Sequence, residues 1–325
     1  MQLLIYRDSF EIVRDALAER PDVVPLILED DGRCVDAAGA AVEDPRPDAA
    51  WFSRELMLKE QAPTRDLVRI VFRAGTVRWI QSSAAGFEHP VFGRFLEAGI
   101  RLSVNDASSI AIAEYVLAEV LACFQPLVAR RSAQAAARWE RLPFRELHGT
   151  RWLIVGYGSI GRAVAQRAAG FGASIVGVRR TPQPDPLALR VVAPDALLAE
   201  AREADVLVIA AAANASSRQL IDSDVLAAMQ ADAVLVNVAR GALLDETALL
   251  SSLDAGRPGA AILDVFDTEP LPEDSPLWRH PRVRLTAHCS GQSDGVARRG
   301  ATVFLEHLDA FRAGAPLRLE VTRAD

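Results

Sequence analysis

The sequence predicts an α/β protein built from two domains, and three observations support this. Its 325 residues exceed the ~100–200 residues of a typical single domain. Short apolar segments alternate with longer segments that suit helices along most of the chain, and this alternation favours parallel sheets. Half of the residues are hydrophobic and 24% are charged, which is the composition of a folded globular protein rather than a disordered one.

The first hundred residues predict a sheet of short strands. The apolar run at 2–6 suits a buried strand, and the helical spacing of apolar residues after it predicts a helix with Ser9 as its N-cap. Pro25 interrupts the next apolar run, VVPLILED, which therefore stays ambiguous. Three further strands are predicted from the segments AAWFS, VRWIQSS and IRLSVND.

Residues 107–139 predict a long helical stretch that Pro126 kinks or breaks. Its apolar side chains spread around the whole helix rather than along one stripe, so we expect burial on several sides. A helix between domains or at a subunit interface has this pattern. We therefore expect a homodimer that forms through residues 107–125.

After residue 150 the alternation of strand and helix becomes regular, which is typical of a doubly wound sheet. An amphipathic helix is predicted for the tail at 297–315. Six strands are predicted from the segments RWLIVG, ASIVGVRR, ADVLVIAA, AVLVNVAR, AAILDVF and VRLTAH.

A glycine-rich hexapeptide follows the first of these strands and opens a helix. It reads Gly156, Tyr157, Gly158, Ser159, Ile160 and Gly161. In this context Gly156 permits the tight turn, Gly158 lets the backbone approach a pyrophosphate, and Gly161 allows close packing of helix on strand. The free N–H groups at the helix start favour phosphate binding. The hexapeptide therefore predicts a dinucleotide site, although a glycine-rich turn without a ligand is the alternative.

The next strand ends in Arg179 and Arg180, followed by Thr181. An NAD-binding domain usually has an acidic residue there, ~20 residues beyond the glycines, to bind the ribose hydroxyls. Two guanidinium groups can instead pair with a 2′-phosphate. We expect NADP(H) to be preferred and NAD(H) to be possible, unless these arginines belong to the solvated surface.

Three reactive side chains lie just past later strands: Arg240, Glu269 and His288. Because ligands bind at the carboxyl ends of such strands, we expect these groups to share one site, although each alone could be an ordinary surface residue. A guanidinium can hold a carboxylate through two hydrogen bonds, and an imidazole oriented by a carboxylate can exchange a proton with a ketone oxygen. The set suits reduction of a 2-oxoacid by a nicotinamide.

The segments NVARGALLDETALL, DVFDTEPLPEDSPLW and AHCSG resemble the signatures of D-isomer-specific 2-hydroxyacid dehydrogenases. The similarity covers residues 77–312 well, and WIQSSAAGFEHP together with VGVRR resembles the glyoxylate/hydroxypyruvate reductase type. The resemblance implies a Rossmann dinucleotide-binding domain inserted into a flavodoxin-like substrate-binding domain. The substrate-binding domain would comprise 1–101 and 291–325, and the inserted domain 102–290.

The resemblance also implies roles for individual residues. Arg240 would bind substrate, Glu269 would be the partner of His288, and His288 would be the acid/base that also contacts substrate. Asp264 would hold the nicotinamide carboxamide, and the backbone N–H groups of Ala85 and Gly86 would contact the substrate carboxylate. The remaining cofactor contacts are assigned to Asn214, Ser217, Val238, Ala239 and Gly291. The loop that contains Asn214 and Ser217 departs from the usual family pattern because it lacks the proline.

Charge and composition limit the partners. The net charge of −7 and pI near 5.4 argue against sequence-independent binding of nucleic acid. No apolar run of ~18 residues suggests a membrane helix, and the N-terminus does not look like a secretory signal. The histidines and the three widely spaced cysteines lack metal-ligand spacing, so we expect no metal, reduced thiols and a cytoplasmic protein.

We therefore expect NAD(P)H-dependent reduction of a small 2-oxoacid such as glyoxylate or hydroxypyruvate to the D-2-hydroxyacid. Two alternatives remain open from the sequence. One is NAD-dependent oxidation of a larger or phosphorylated D-2-hydroxyacid. The other is a nucleotide-sensing corepressor on the same fold, in which catalysis is incidental.

Overall fold

The computed structural model describes residues 1–59, 62–84, 86 and 89–321. The chain divides into two compact units. Unit 1 comprises Met1–Ser108 and Asp294–Asp325, and unit 2 comprises Ser109–Ser293. The sequence placed the corresponding boundaries after residues 101 and 290.

Unit 1 contains a seven-stranded sheet in the order β14-β6-β5-β4-β1-β2-β3. Its strands are β1 (Gln2–Tyr6), β2 (Val24–Leu28), β3 (Cys34–Val35), β4 (Ala49–Phe52), β5 (Trp79–Ser82), β6 (Arg101–Ser103) and β14 (Glu320–Val321). The edge strands β3 and β14 are antiparallel, and the other five are parallel. Taken in chain order, the five parallel strands have the order 2-1-3-4-5, which is the flavodoxin-like order.

Helices cover both faces of this sheet: α1 (Arg7–Ala18), α2 (Arg54–Met57), α3 (Ala62–Ala74), α4 (Pro90–Glu97) and α11 (Val296–Arg312). The α11 side chain Phe304 stacks on Trp51 with 4.1 Å between ring centroids. The prediction that Ser9 caps the first helix is wrong, because α1 begins at Arg7 with Tyr6 as its N-cap. Ser9 lies inside the helix, and its buried hydroxyl is hydrogen-bonded to that of Ser53.

Unit 2 contains a second seven-stranded sheet in the order β13-β12-β11-β10-β7-β8-β9, and every pairing in it is parallel. Its strands are β7 (Arg151–Val155), β8 (Ser174–Val178), β9 (Arg190–Val192), β10 (Val206–Ile209), β11 (Val234–Asn237), β12 (Ala260–Leu263) and β13 (Val283–Leu285). In chain order this is 3-2-1-4-5-6 with one further strand, the Rossmann arrangement. The fold class predicted from the sequence is confirmed.

The helices of unit 2 are α5 (Ser109–Phe124), α6 (Leu127–Ala135), α7 (Ser159–Gly170), α8 (Leu197–Ala201), α9 (Ser223–Ala228) and α10 (Glu246–Asp254). The long predicted helix is two helices, α5 and α6, which meet at 62° around Pro126. Helix α5 packs against α7, and one of its faces is buried in the core of unit 2. Within the described ranges no single helix has the length and hydropathy of a bilayer span; only the bent α5–α6 pair passes that test jointly.

Candidate active site

Three glycines shape the turn between β7 and α7, each for a different reason. Gly156 has φ of +97°, and a Cβ there would lie 2.2 Å from the backbone nitrogen of Ala211. A Cβ at Gly161 would lie 2.3 Å from the carbonyl oxygen of Gly156, so that glycine permits helix and turn to touch. A Cβ at Gly158 would meet nothing within 4 Å. The turn is thus open at its middle glycine, where a ligand's pyrophosphate can approach the backbone.

The start of α7 completes the features that a dinucleotide requires. The N–H groups of its first turn, from Ser159, Ile160 and Gly161, have no acceptor within the helix, and the helix dipole adds positive potential. Tyr157 instead contributes packing: its N–H donates to the carbonyl of Val178 over 3.0 Å. Its buried ring fills the space over Gly177, where a Cβ would come within 2.6 Å of it. Burial raises the pKa of the Tyr157 phenol to about 12.

Arg179, Arg180 and Thr181 follow β8 directly, and all three are exposed. The N–H of Arg179 donates to the carbonyl of Val192 over 3.0 Å, which ties the start of this segment to β9. Within the described ranges, no carboxylate forms an ion pair with the Arg179 guanidinium. Its charge is therefore not neutralised by a neighbouring acid.

The loop after β10 satisfies most of its polar groups internally. Asn214 Oδ1 accepts the N–H groups of Ser216 at 2.9 Å and Ser217 at 3.1 Å. Ser217 Oγ accepts the N–H of Asn214 at 2.9 Å. These two side chains hold the shape of the loop. The side chains of Val238 and Ala239 are buried, so they can reach a ligand only through their backbone atoms.

Arg240 follows β11 on a loop that is held by hydrogen bonds to the side chain of Asn237. Asn237 Nδ2 donates to the carbonyl of Arg240 over 3.0 Å, and its Oδ1 accepts the N–H of Ala239 at 3.1 Å. The next residue must be glycine, because a Cβ at Gly241 would lie 1.9 Å from the carbonyl carbon of Phe266. This close approach places the Arg240 loop directly against the loop that follows β12.

Glu269 and His288 form a hydrogen-bonded pair. The distance from His288 Nδ1 to Glu269 Oε2 is 2.8 Å, and Glu269 Oε1 accepts the N–H of Phe266 at 2.9 Å. Both carboxylate oxygens of Glu269 are therefore hydrogen-bonded. The His288 side chain is 49% exposed, which leaves Nε2 as the ring nitrogen that can reach a substrate. A neutral imidazole with Nδ1 protonated can accept a proton at Nε2, and the charged ring can donate it.

His288 has φ of +49°, a left-handed conformation that is uncommon outside glycine. Such conformations occur at functional sites where surrounding contacts hold them.

Another acidic group, Glu246, lies near the loop that follows β12 and accepts the N–H of Asp267 at 2.8 Å. Burial raises the pKa of Glu246, the hydrogen bond from the Asp267 N–H opposes this, and the carboxylates of Asp267 and Glu269 raise the pKa further.

Asp264 lies at the carboxyl end of β12, and only 1% of its surface is exposed. Its carboxylate accepts the Thr286 hydroxyl at 2.6 Å and the N–H groups of Cys289 at 2.9 Å and Ser290 at 3.0 Å. Its Oδ1 thus has two donors and its Oδ2 has one, so at most one acceptor position remains for a carboxamide.

Three predicted site residues remain: Gly291, Gly86 and Ala85. Gly291 follows the turn that Asp264 binds and is half-buried. Gly86 is half-buried and belongs to unit 1, whereas Ala85 lies outside the described residues. Three residues near the site were not predicted from the sequence. Asn237 holds the Arg240 loop, Thr286 binds Asp264, and the Tyr115 hydroxyl lies 2.8 Å from that of Thr286. The one signal for Asn237 was a polar residue that ends an otherwise apolar strand.

The chain is similar to known proteins in sequence and in structure. The model of the family described as "D-isomer specific 2-hydroxyacid dehydrogenase, NAD binding domain" matches residues 117–290. A D-3-phosphoglycerate dehydrogenase of Methanocaldococcus jannaschii is 30% identical over 256 residues, covering 77% of this chain and 48% of that protein. A glyoxylate/hydroxypyruvate reductase A of Yersinia enterocolitica is 32% identical over 195 residues, covering 59% of this chain and 62% of that protein.

Among solved structures, a D-isomer specific 2-hydroxyacid dehydrogenase family protein of Aeromonas salmonicida is similar over nearly its whole length. The TM-score is 0.77 at 26% identity, with 99% of this chain and 98% of that chain covered. The chain spans about half the length of the phosphoglycerate dehydrogenase that it matches.

Proposed function

The chain belongs to the D-isomer specific 2-hydroxyacid dehydrogenases, which are oxidoreductases, and from this premise we propose that it reduces a small 2-oxoacid to the D-2-hydroxyacid with NADPH. The observation that carries the proposal is the His288–Glu269 pair, with 2.8 Å between Nδ1 and Oε2, at the carboxyl edge of the unit 2 sheet. This edge is where doubly wound sheets bind their ligands.

Each residue has a distinct task in this proposal. The nicotinamide, when bound, supplies the hydride to the ketone carbon. His288 gives the proton from Nε2 to the ketone oxygen, so the carbonyl becomes a hydroxyl. Glu269 accepts a hydrogen bond from His288 Nδ1 and so orients the ring for this donation. Arg240 binds the substrate carboxylate, for which a guanidinium offers two parallel donors.

Small substrates of the glyoxylate and hydroxypyruvate kind are favoured by the similarity to the Yersinia enterocolitica reductase. The similarity to the Methanocaldococcus jannaschii enzyme supports a second candidate, a phosphorylated D-2-hydroxyacid. A substrate panel separates the two. We expect turnover above ~1 s⁻¹ with glyoxylate or hydroxypyruvate, and much slower reaction with 3-phosphohydroxypyruvate. The reverse order would favour the second candidate, and no turnover on any 2-oxoacid would refute both.

The preference for NADPH rests on Arg179 and Arg180, which stand where NAD-specific domains have an acidic residue. Replacing Arg179 with Ser removes one charge that can pair with a 2′-phosphate. We expect kcat/KM for NADPH to fall about 10-fold and that for NADH to stay within about 2-fold. Arg202→Ser is a control, since Arg202 is an exposed arginine beyond the end of α8. Equal losses for both cofactors would refute this specificity.

The homodimer remains a proposal, with residues 107–125 as the surface predicted from the sequence and a second candidate surface directly after them. Helix α5 is largely occupied by contacts inside unit 2, so it has little apolar surface left to offer a partner. Exposed apolar side chains occur just after it: Val128 is 76% exposed and Trp139 is 93% exposed, and Phe144 is also exposed. We propose that residues 127–144 contact a second copy. Trp139→Ser should then yield monomers in light scattering at micromolar concentration, whereas an unchanged dimer, or a wild-type monomer, would contradict the proposal.

A further inference from the structure

Three consecutive backbone N–H groups converge on one residue, Asp264. The N–H of His288 donates to its carbonyl oxygen over 2.8 Å. The N–H of Cys289 donates to its Oδ1 over 2.9 Å, and the N–H of Ser290 donates to its Oδ2 over 3.0 Å. The left-handed conformation of His288 turns successive N–H groups toward the same side, which creates a concave site for an anion. Asp264 fills that site and fixes the turn that carries the imidazole.

The Asp264 carboxylate is in turn held by a chain of two hydroxyl groups. Thr286 Oγ1 donates to Asp264 Oδ1 over 2.6 Å, and Tyr115 Oη lies 2.8 Å from Thr286 Oγ1. A threonine hydroxyl has a single proton, which is committed to the carboxylate, so Tyr115 is the donor to Thr286. Burial raises the pKa of the Tyr115 phenol to about 12, so it keeps that proton at neutral pH. The chain therefore runs from α5 to the turn of His288.

We propose that Tyr115 and Thr286 are positioning residues, which hold the Asp264 carboxylate in the orientation that fixes the His288 turn. The part of this proposal that concerns catalysis rests on the proposed function. None of the three side chains needs to touch the substrate for the effect. If the chain is broken, the carboxylate can rotate away from the N–H groups of Cys289 and Ser290, and the imidazole loses its fixed direction toward the ketone oxygen.

The alternative is that these hydroxyl groups serve only stability, as many buried hydrogen bonds do. Two features favour positioning. The chain ends on the residue that binds the turn of the acid/base, and His288 itself lies in a conformation that needs outside contacts to persist. A purely stabilising role predicts a lower melting temperature and an unchanged kcat per folded molecule. A positioning role predicts a loss of kcat with KM little changed.

The test uses Thr286→Val, which keeps the volume and removes the hydroxyl, and Thr286→Ser, which restores it. We expect kcat to fall about 10-fold in the valine variant and to return to within about 3-fold of wild type in the serine variant. Tyr115→Phe should lower kcat about 3-fold, and it covers the case in which the valine variant does not fold. Thr150→Val is the matched control. Thr150 is a buried threonine that precedes the central strand β7, so it lies at the amino ends of the strands, whereas Thr286 lies at their carboxyl ends.

Hydrogen exchange separates failure of this proposal from failure of the proposed function. In Thr286→Val and Tyr115→Phe we expect faster amide exchange in residues 287–291 and unchanged exchange in α11. This readout does not depend on turnover, so it decides the structural role even if no 2-oxoacid is reduced. Unchanged exchange, or unchanged kcat in both variants of an active enzyme, would overturn the positioning role.

Discussion

The imidazoles of His288 and His307 each use Nδ1 in one hydrogen bond, yet their surroundings are opposite. His288 pairs with the carboxylate of Glu269 and is 49% exposed. His307, on α11 of unit 1, pairs with the amide oxygen of Gln81 and is 2% exposed, and no residue that the structure describes is hydrogen-bonded to its Nε2. Burial lowers the pKa of His307, whereas the exposed ring of His288 lies beside a carboxylate that can orient it. The difference favours His288 over His307 as the acid in the proposed reaction.

Removing the exposed ring should have the largest effect. His288→Asn keeps a polar side chain but has no group that can donate the proton. We expect kcat for 2-oxoacid reduction to fall roughly 10²–10⁴-fold, with the melting temperature little changed. His307→Asn should lower stability and leave kcat per folded molecule close to wild type. If the His307 variant lost the activity and the His288 variant kept it, the comparison would be reversed.

Changing the partner of His288 should have the next largest effect. Glu269→Gln removes the negative charge and leaves one acceptor oxygen for two donors, the Phe266 N–H and His288 Nδ1. We expect kcat to fall roughly 10–100-fold, measured at saturating substrate. Gln81→Glu is the mirrored change for His307, and it should alter stability rather than turnover. Full activity in Glu269→Gln would show that the carboxylate has no part in the reaction.

Arg240→Lys tests the proposed role of Arg240 in binding the substrate carboxylate. A lysine keeps the charge but cannot provide two parallel hydrogen bonds to a carboxylate. We expect kcat/KM to fall about 10-fold, mainly through a higher KM. Arg218→Lys is a control on the preceding loop, where the arginine is exposed. A loss confined to kcat would instead place Arg240 in the proton-transfer step.

Because His307 is buried, we expect it to make the free energy of unfolding depend on pH. Burial lowers the pKa of His307, the nearby Arg318 lowers it further, and Asp106 opposes these effects. The folded protein therefore resists protonation of this ring, while the unfolded chain does not. Its contribution to stability is full above the ordinary pKa of 6.5 and is lost as the pH falls toward the lowered value.

Urea unfolding at pH 7.5 and pH 5.5 measures this small effect. The wild type should lose more stability between these two pH values than His307→Gln, whose side chain does not titrate. Comparing the two proteins removes the contribution of every other titratable group. Equal losses would mean that His307 is protonated as easily in the folded protein as in the unfolded chain.

Much of the fold was predictable because it follows from local apolar patterns. Every predicted strand segment after residue 150 contains an observed strand, since buried parallel strands are continuous apolar runs. The short edge strands β3, β9 and β14 have two or three residues each and carry no such pattern. The prediction that Ser9 caps a helix was wrong. Ser9 lies inside α1, and its hydroxyl is hydrogen-bonded to Ser53, a residue distant in the sequence.

The site was predictable to the extent that strand ends determine it. Arg240, Glu269 and His288 follow strands that end at the same edge, and the structure joins Glu269 to His288 directly; their roles remain predictions. The link from Tyr115 to Thr286 was not predictable, because the two residues are 171 positions apart and neither belongs to a recognisable motif. The loop with Asn214 and Ser217 satisfies its own hydrogen bonds, a feature that composition does not indicate.

The most direct measurement is a crystal structure of the protein with NADPH and oxalate, an unreactive mimic of a 2-oxoacid. We expect one oxalate carboxylate to contact the Arg240 guanidinium and an oxygen of the other to lie within about 3.2 Å of His288 Nε2. The Glu269–His288 hydrogen bond should persist in that complex. An oxalate bound more than ~6 Å from Nε2, with full occupancy of NADPH, would contradict the assignment of His288 as the proton donor.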